Sequence, residues 1–177
     1  MATPLADRIA DQVADAAGLY HRLLLIVGPP RTGKTTALRQ LSEMRGWPLV
    51  NVNLRLSEKL SELTSKQRAL RVPRILGEIA AQHPGDILIF DNTEILFSPD
   101  LQQDPLRVLQ DLARNRTLIA SWSGQLEGAH LTYAEPSHPE YKRYASPDGV
   151  LIQAPEGQPP ADSGQPTAHP AGQEESA

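Results

Sequence analysis

The stretch LLLIVGPPRTGKTTAL, residues 23–38, decides the fold of this chain of 177 residues. Five consecutive apolar residues, 23–27, are followed by a turn that contains Gly28 and Gly33, and then by residues of helical pattern. An uninterrupted apolar run is typical of a strand covered on both faces, as in the parallel sheet of an α/β domain. The stretch therefore predicts a buried strand, a turn, and a helix over residues 33–45.

The turn matches the pattern G-x-x-x-x-G-K-[ST] without a gap. Gly28 lets the chain leave the strand sharply, and Gly33 lets the backbone approach phosphate oxygens without a Cβ in the way. Pro29 and Pro30 have no N–H groups, so the anion must be held by later amides, where unpaired donors and the dipole of the helix converge. The predicted nucleotide-binding residues are Gly28, Arg31, Thr32, Gly33, Lys34, Thr35 and Thr36.

Two of these residues and one later acid have predicted roles toward ATP and Mg²⁺. Lys34 is expected to neutralise the β and γ phosphates, and the Thr35 hydroxyl is expected to bind Mg²⁺. The apolar run ILIF at residues 87–90 ends in Asp91, at the carboxyl end of a strand, where ligands of open α/β sheets bind. There Asp91 would hold Mg²⁺ through water; taken alone, it also suits a strand end or a cap. The guanine-recognising string Asn-Lys-x-Asp is absent, which favours ATP over GTP.

Apolar runs alternate with helical patterns along the rest of the chain. Strands are predicted at 86–91, 117–122 and 149–153, with 48–53 nearer an edge, and helices at 67–82 and 104–114. In the last helix Asp104 is a plausible N-cap, followed by Pro105 at the first helical position. Such alternation implies right-handed crossovers and a mainly parallel sheet with helices on both faces, an α/β fold.

The composition divides the chain into three segments. Residues 1–18 carry apolar residues at four-residue spacing, which predicts an amphipathic helix that packs on the core or, alternatively, binds a partner. Residues 19–153 form the predicted nucleotide-binding domain. Residues 154–177 are rich in proline with almost nothing apolar to bury, so they are predicted to be disordered.

The charge balance argues against a protein that coats nucleic acid by bulk charge. The chain has 17 basic and 21 acidic side chains, a net charge of −4. Four of the acids and none of the bases follow residue 153, which leaves 17 of each sign in the rest. The chain has no cysteine, no apolar run near the roughly 18 residues of a membrane span, and no secretory h-region at its N-terminus. A cytoplasmic location without membrane contact is expected.

Three strings resemble the small P-loop protein of type 3 BREX phage-defence systems. They are GPPRTGKTTAL at residues 28–38, DNTEILFSPDLQQDPLRVLQDLARNRTLIASWSG at 91–124 and YKRYASPDGVLI at 141–152. The resemblance covers about residues 19–153 and implies an accessory ATPase-like component of a bacterial defence system. It implies other BREX proteins as partners, especially the large ATPase, with a homo-oligomer as a further possibility.

The chain also resembles the wider additional-strand, RecA/AAA-like class of P-loop NTPases. In this class a strand lies between the P-loop strand and the Walker B strand, which is here the one that ends in Asp91. That resemblance makes residues 117–122 the inserted strand and places Ser121 or Ser123 at the sensor position. Two features depart from the class. Asn92 stands where many of these hydrolases have a glutamate, and an amide cannot accept a proton. Too little chain follows the last strand for a helical lid.

Glu94 is the carboxylate nearest to Asp91 and is the candidate for activating water, with a capping or surface role as the alternative. Arg114 and Arg116 flank the turn into the inserted strand and are candidate arginine fingers toward a neighbouring subunit. Helix C-terminal arginines favoured by the dipole are the alternative for both.

A basic stretch lies between residues 55 and 74. It has a surplus of four positive charges and is a candidate surface for DNA phosphate or an acidic partner, with a solvated helical face as the alternative. Its basic members are Arg55, Lys59, Lys66, Arg68, Arg71 and Arg74.

Taken together, these patterns predict a nucleotide switch or a weak, partner-stimulated ATPase within a defence complex. A non-hydrolysing ATP-binding adaptor is a second interpretation. Asn92 favours the adaptor, whereas Glu94 favours an ATPase. A small-molecule kinase is a third, although no acceptor-binding region or set of lid arginines is evident.

Overall fold

A computed structural model of the chain describes residues 3–155. Its helices are α1 (Leu5–Ala17), α2 (Lys34–Arg45), α3 (Val52–Leu60), α4 (Ser65–Ala81) and α5 (Pro105–Leu112). Its strands are β1 (Leu23–Val27), β2 (Leu49–Asn51), β3 (Ile87–Asp91), β4 (Thr117–Trp122), β5 (Gly124–Glu127), β6 (His130–Tyr133), β7 (Lys142–Ala145) and β8 (Val150–Gln153). Two short 3₁₀ segments, Thr93–Phe97 and Pro99–Leu101, follow β3.

The main sheet has five parallel strands in the order β2-β3-β4-β1-β8. The strand β4 lies between β1 and β3, with Leu25 and Phe90 both in register with Ala120. This confirms the predicted inserted strand between β1, which precedes Gly28, and β3, which ends at Asp91. The strand β2 lies at an edge, as its alternating pattern indicates.

Helices cover both faces of this sheet, which confirms the predicted α/β fold. Alternate residues of β1 point to opposite faces. Leu25 belongs to the core beneath α3 and α4, together with Leu56 and Leu76. Leu24 belongs to the core beneath α1 and α2, together with Leu38. The helix α1 buries Ile9 and Ala16 in this second core, so its apolar stripe packs within the fold.

The second sheet, β5-β6-β7, is antiparallel and is not predicted by the sequence patterns. Its strands have four residues each, too short for a clear alternation. Gly124 opens β5 directly after the inserted strand, and a Cβ on it would collide with the carbonyl of Thr132 on β6. The close approach of the two backbones explains this glycine.

The structure corrects the predicted extent of the strand β2. The sequence predicts a strand over 48–53, but the strand ends at Asn51 and α3 begins at Val52. The Asn51 side chain accepts a hydrogen bond from the amide of Leu54 and caps α3. This local capping stops the strand.

The cap predicted at Asp104 is confirmed, because its side chain accepts from the amide of Arg107.

The last strand ends close to the predicted domain boundary, but the fold continues past it. Ala154, which the composition assigns to the tail, is buried, and its amide donates to the Val27 carbonyl at 2.7 Å. The predictions of a disordered tail and of no helical lid fall on residues after 155, outside the described residues. Within residues 3–155, no helix is long and apolar enough to cross a membrane.

Candidate functional site

The loop between β1 and α2 explains both glycines of the motif, for different reasons. A Cβ on Gly28 would lie 2.8 Å from Thr32 Oγ1 and 2.9 Å from Ala154 Cβ, so the position is closed to any larger residue. A Cβ on Gly33 would meet no atom within 4 Å, but its φ of +83° is left-handed. Gly28 is therefore required by packing and Gly33 by conformation.

Lys34, the first residue of α2, is folded back over this loop. Its side chain is buried, and Nζ donates hydrogen bonds to the carbonyls of Gly28 at 2.6 Å and Pro29 at 2.7 Å. Burial lowers the pKa of Lys34, while the charges of Glu94 and Asp91 act in the opposite direction. The ammonium group therefore lies within electrostatic reach of both carboxylates.

The remaining loop residues surround the start of α2. Thr32 is buried and donates to the Pro29 carbonyl at 2.8 Å, which tightens the turn. Arg31 is exposed with a left-handed φ of 68°. Thr35 and Thr36 are in the first turn of α2, where the amides have no acceptor within the helix. This arrangement suits the anion-binding role predicted for the loop.

Asp91 lies at the carboxyl end of β3 and is buried. It pairs in register with Asn51 of β2. An acidic and a hydroxyl oxygen, from Asp91 and Thr35, are the kind of hard ligands that Mg²⁺ takes together with nucleotide phosphates. No cluster of three or more His, Cys, Asp or Glu that could hold a metal by itself occurs in residues 3–155. The residues present therefore fit a Mg²⁺ ion held jointly with the nucleotide.

The segment after Asp91 is tied to the helix α3 and to the strand β4. Asn92 has a left-handed φ of 54°, and its carbonyl accepts from the amide of Asn53 at 3.1 Å. Thr93 is buried and donates through Oγ1 to the Ser121 carbonyl at 2.6 Å. These bonds fix the start of the 3₁₀ segment that carries Glu94.

Glu94 is paired with one of the two serines proposed as a sensor. Ser123 Oγ donates to Glu94 Oε1 at 2.5 Å, across 29 residues of sequence. Ser121 Oγ is buried and has no hydrogen-bond partner in the described part of the chain. Ser121 lies two residues after Ile119, so it shares the sheet face on which α2 packs. The structure thus brings Ser123 to Glu94 and places Ser121 on the sheet face that α2 covers.

Arg116, a predicted candidate for an arginine finger, has its guanidinium bound within the fold. Its Nη1 donates to the carbonyls of Ala80 and His83 at 3.0 and 2.7 Å, and its Nε and Nη2 are also buried. Burial lowers the pKa of Arg116, with the charge of Asp86 opposing. The guanidinium therefore binds the C-terminus of α4 rather than the end of α5, the helix that precedes it, and its action as an arginine finger stays a prediction.

Arg114 stays exposed, with its guanidinium 5.2 Å from the ring centroid of Tyr20. Both arginines precede β4 and so lie at the amino edge of the parallel sheet, opposite the edge that carries Gly28 and Asp91. Any finger action of Arg114 would therefore be toward another molecule.

The basic stretch is divided between bound and free side chains. Arg68 Nε donates to the carbonyls of Leu60 and Leu63, both at 3.0 Å, and so closes the end of α3. Arg55 and Arg74 lie beside acids one helical turn away, Glu58 and Glu78. The remaining three basic residues are exposed: Lys59, Lys66 and Arg71.

Sequence comparison matches the chain to one family. A sequence model of the "ATPase family associated with various cellular activities (AAA)" matches residues 24–118, more than half of the 177 residues. The structure of C. elegans PCH-2 is similar in fold, with 16% sequence identity and a TM-score of 0.46. The similarity covers 89% of this chain and 45% of that chain, so the present chain spans less than half of that relative. No curated protein sequence matches.

Proposed function

Because this chain belongs to the AAA family of ATPases, we propose that it binds Mg-ATP at residues 28–36 and acts as a nucleotide switch or weak ATPase. The observation that carries the proposal is the convergence of Lys34, Asp91 and Glu94 at one edge of the sheet. A buried ammonium within electrostatic reach of two carboxylates suits a site that receives both phosphate and a divalent cation.

Each residue then has a defined task in binding. Lys34 Nζ, which donates to loop carbonyls, would transfer its hydrogen bonds to phosphate oxygens, and the amides of residues 32–36 would hold the same anion. Thr35 and Asp91 would hold the Mg²⁺. When bound, this ion would neutralise charge on the β and γ phosphates.

Slow turnover follows from the groups that surround the attacking water. Asn92 can orient water but cannot remove its proton. Glu94 has a carboxylate, but its Oε1 already accepts a hydrogen bond from Ser123, so this oxygen is engaged before any water is present. We expect turnover by the isolated protein below about 0.1 s⁻¹, well under the median of about 10 s⁻¹ for enzymes.

The biological setting that we propose is a BREX phage-defence complex. Its support is the three sequence strings at residues 28–38, 91–124 and 141–152. In this setting a neighbouring BREX protein, especially the large ATPase, would raise the turnover rate by contributing an arginine to the site, whereas Arg114, at the opposite edge of the sheet, would act toward another molecule. A non-hydrolysing adaptor shares the binding step but has no ATP turnover, with or without the partner.

The binding step is tested by calorimetry with Mg-ATP. Lys34→Ala should weaken ATP binding by at least about tenfold, or about 1.4 kcal/mol. Lys59→Ala, which removes an exposed lysine from α3, is the matched control and should bind as the wild type does. An unchanged dissociation constant for Lys34→Ala would remove the central claim.

The switch is separated from the adaptor by turnover with and without the neighbouring BREX proteins. Stimulation by a partner supports the switch. Binding without turnover under either condition supports the adaptor.

A further inference from the structure

An aromatic cluster joins the antiparallel sheet to the segment that carries Glu94. The ring of Tyr133, on β6, stacks on the ring of Phe97 with a centroid distance of 3.4 Å and an interplanar angle of 12°. Trp122, the last residue of β4, meets Phe97 edge-on at 4.9 Å and Tyr133 at 6.3 Å. All three side chains are buried, so these contacts are shielded from water.

The geometry of the 3₁₀ segment places this stack beneath Glu94. In a 3₁₀ helix, side chains three residues apart lie one above the other. Glu94 and Phe97 have this spacing within Thr93–Phe97. The face of the segment that presents Glu94 is therefore the face that rests on Tyr133.

The electrostatics of Tyr133 agree with this placement. Burial, followed by the charges of Glu140 and Glu94, raises the pKa of Tyr133 to about 12. The phenol therefore stays neutral at physiological pH and lies close enough to Glu94 to feel its charge. A neutral ring can stack on Phe97 without adding a second negative charge beside the carboxylate.

Ser123, the hydrogen-bond partner of Glu94, is also linked to β6, the strand that carries Tyr133. Ser123 follows Trp122, and the indole Nε1 of Trp122 donates to the carbonyl of Thr132 at 3.0 Å. Thr132 is the residue before Tyr133 on β6. Ser123 is thus one residue from Trp122, and Glu94 is three residues from Phe97. Both of these aromatic side chains contact β6.

We propose that Tyr133 is a positioning residue for Glu94, so that the antiparallel sheet sets the placement of this carboxylate beside the nucleotide site. The proposal rests on the proposed function, in which Glu94 acts on the attacking water. Tyr133 itself performs no chemistry. Its ring holds Phe97, and Phe97 holds the turn of backbone from which Glu94 projects.

Three variants separate stacking from general stability. Tyr133→Met keeps an apolar side chain of similar reach but removes the planar ring, and Tyr133→Phe keeps the ring but removes the hydroxyl. Tyr144→Met is the matched control, because Tyr144 belongs to the same sheet and contacts Trp122 at 5.9 Å, yet it hydrogen-bonds to Asp104 away from Glu94. Melting temperatures check that each variant is folded. Should Tyr133→Met unfold, Phe97→Met removes the same stack from its other side.

Two measurements are made on each variant. The first is hydrogen exchange of the amides of residues 93–97 without nucleotide, which reports the segment directly and does not depend on ATP turnover. The second is single-turnover hydrolysis over a range of ATP concentrations, which gives both the rate of hydrolysis and the ATP affinity. For Tyr133→Met we expect exchange about tenfold faster and single-turnover hydrolysis about tenfold slower, with the ATP dissociation constant within about twofold of wild type. Tyr133→Phe and Tyr144→Met should match the wild type in both.

The outcomes distinguish this inference from the proposed function. The inference is overturned if Tyr133→Met exchanges and turns over as Tyr144→Met does, or if Tyr133→Phe is as impaired as Tyr133→Met. If the wild type binds no ATP, the proposed function fails, and the exchange measurement alone still decides whether Tyr133 holds the segment.

Discussion

Ser123 Oγ donates a 2.5 Å hydrogen bond to Glu94 Oε1, and this bond joins the end of the inserted strand β4 to the segment after Asp91. The two residues belong to different strand ends, which the parallel sheet brings to one edge. The carboxylate that is the candidate for activating water is thereby held by a hydroxyl at the proposed sensor position. A nucleotide that engages Ser123 would change the environment of Glu94.

The first prediction concerns the role of Glu94 in turnover. Glu94→Gln should lower the partner-stimulated rate by at least about tenfold, because an amide cannot accept the proton of water, and general bases contribute about 10²- to 10⁴-fold. ATP affinity should change by less than about twofold, since the phosphate contacts remain. Glu43→Gln, at an exposed position of α2, is the control. A stimulated rate that survives Glu94→Gln would assign Glu94 to a structural role.

The second prediction concerns packing at Gly28. Gly28→Ala places a Cβ within 2.9 Å of both Thr32 Oγ1 and Ala154 Cβ, so it should destabilise the fold by about 1–3 kcal/mol and weaken ATP binding as well. Gly77→Ala is the matched control, because a Cβ there meets nothing within 4 Å and alanine favours a helix by about 1 kcal/mol. Urea unfolding measures the free energy of unfolding of both variants. Equal stabilities of the two variants would show that the loop relaxes freely.

The third prediction concerns where the folded part ends. The composition of residues 156–177 cannot repay ordering entropy of about 1–2 kcal/mol per residue, so a chain that ends at Pro155 should melt at the temperature of the full chain. A chain that ends at Gln153 also loses the buried Ala154 and its bond to Val27, and should be less stable by about 1 kcal/mol. A large drop in the melting temperature of the chain that ends at Pro155 would mean that residues 156–177 dock on the fold.

The fourth prediction concerns the basic stretch. Arg68 caps α3, so its reversal would confuse folding with binding. The informative variant reverses the three exposed residues Lys59, Lys66 and Arg71 to glutamate. It should abolish salt-sensitive binding to duplex DNA or to a neighbouring BREX protein, whereas Arg143→Glu on β7 should not. Binding and defence that survive the triple reversal would identify a solvated face.

Several features of this protein are determined by its sequence alone. The order of the strands β1, β3, β4 and β8 and of the helices α1, α2, α4 and α5 follows from apolar runs between helical patterns, and the strand that precedes Gly28 is recognised by the motif after it. The cap at Asp104 and the placement of Asp91 at a strand end are equally local. Each of these depends on residues that are close in sequence, so a short window contains the physical cause.

The tertiary structure alone decided the partners of the polar side chains. Arg116 is paired with the end of α4, 33 and 36 residues away, and Glu94 is paired with Ser123, 29 residues away. The stack of Tyr133 on Phe97 depends on an antiparallel sheet whose four-residue strands have no clear pattern. Hydrogen bonds and ring contacts act over a few ångströms and require defined orientations. Only packing of distant segments can supply that geometry, because spacing along the chain does not specify it.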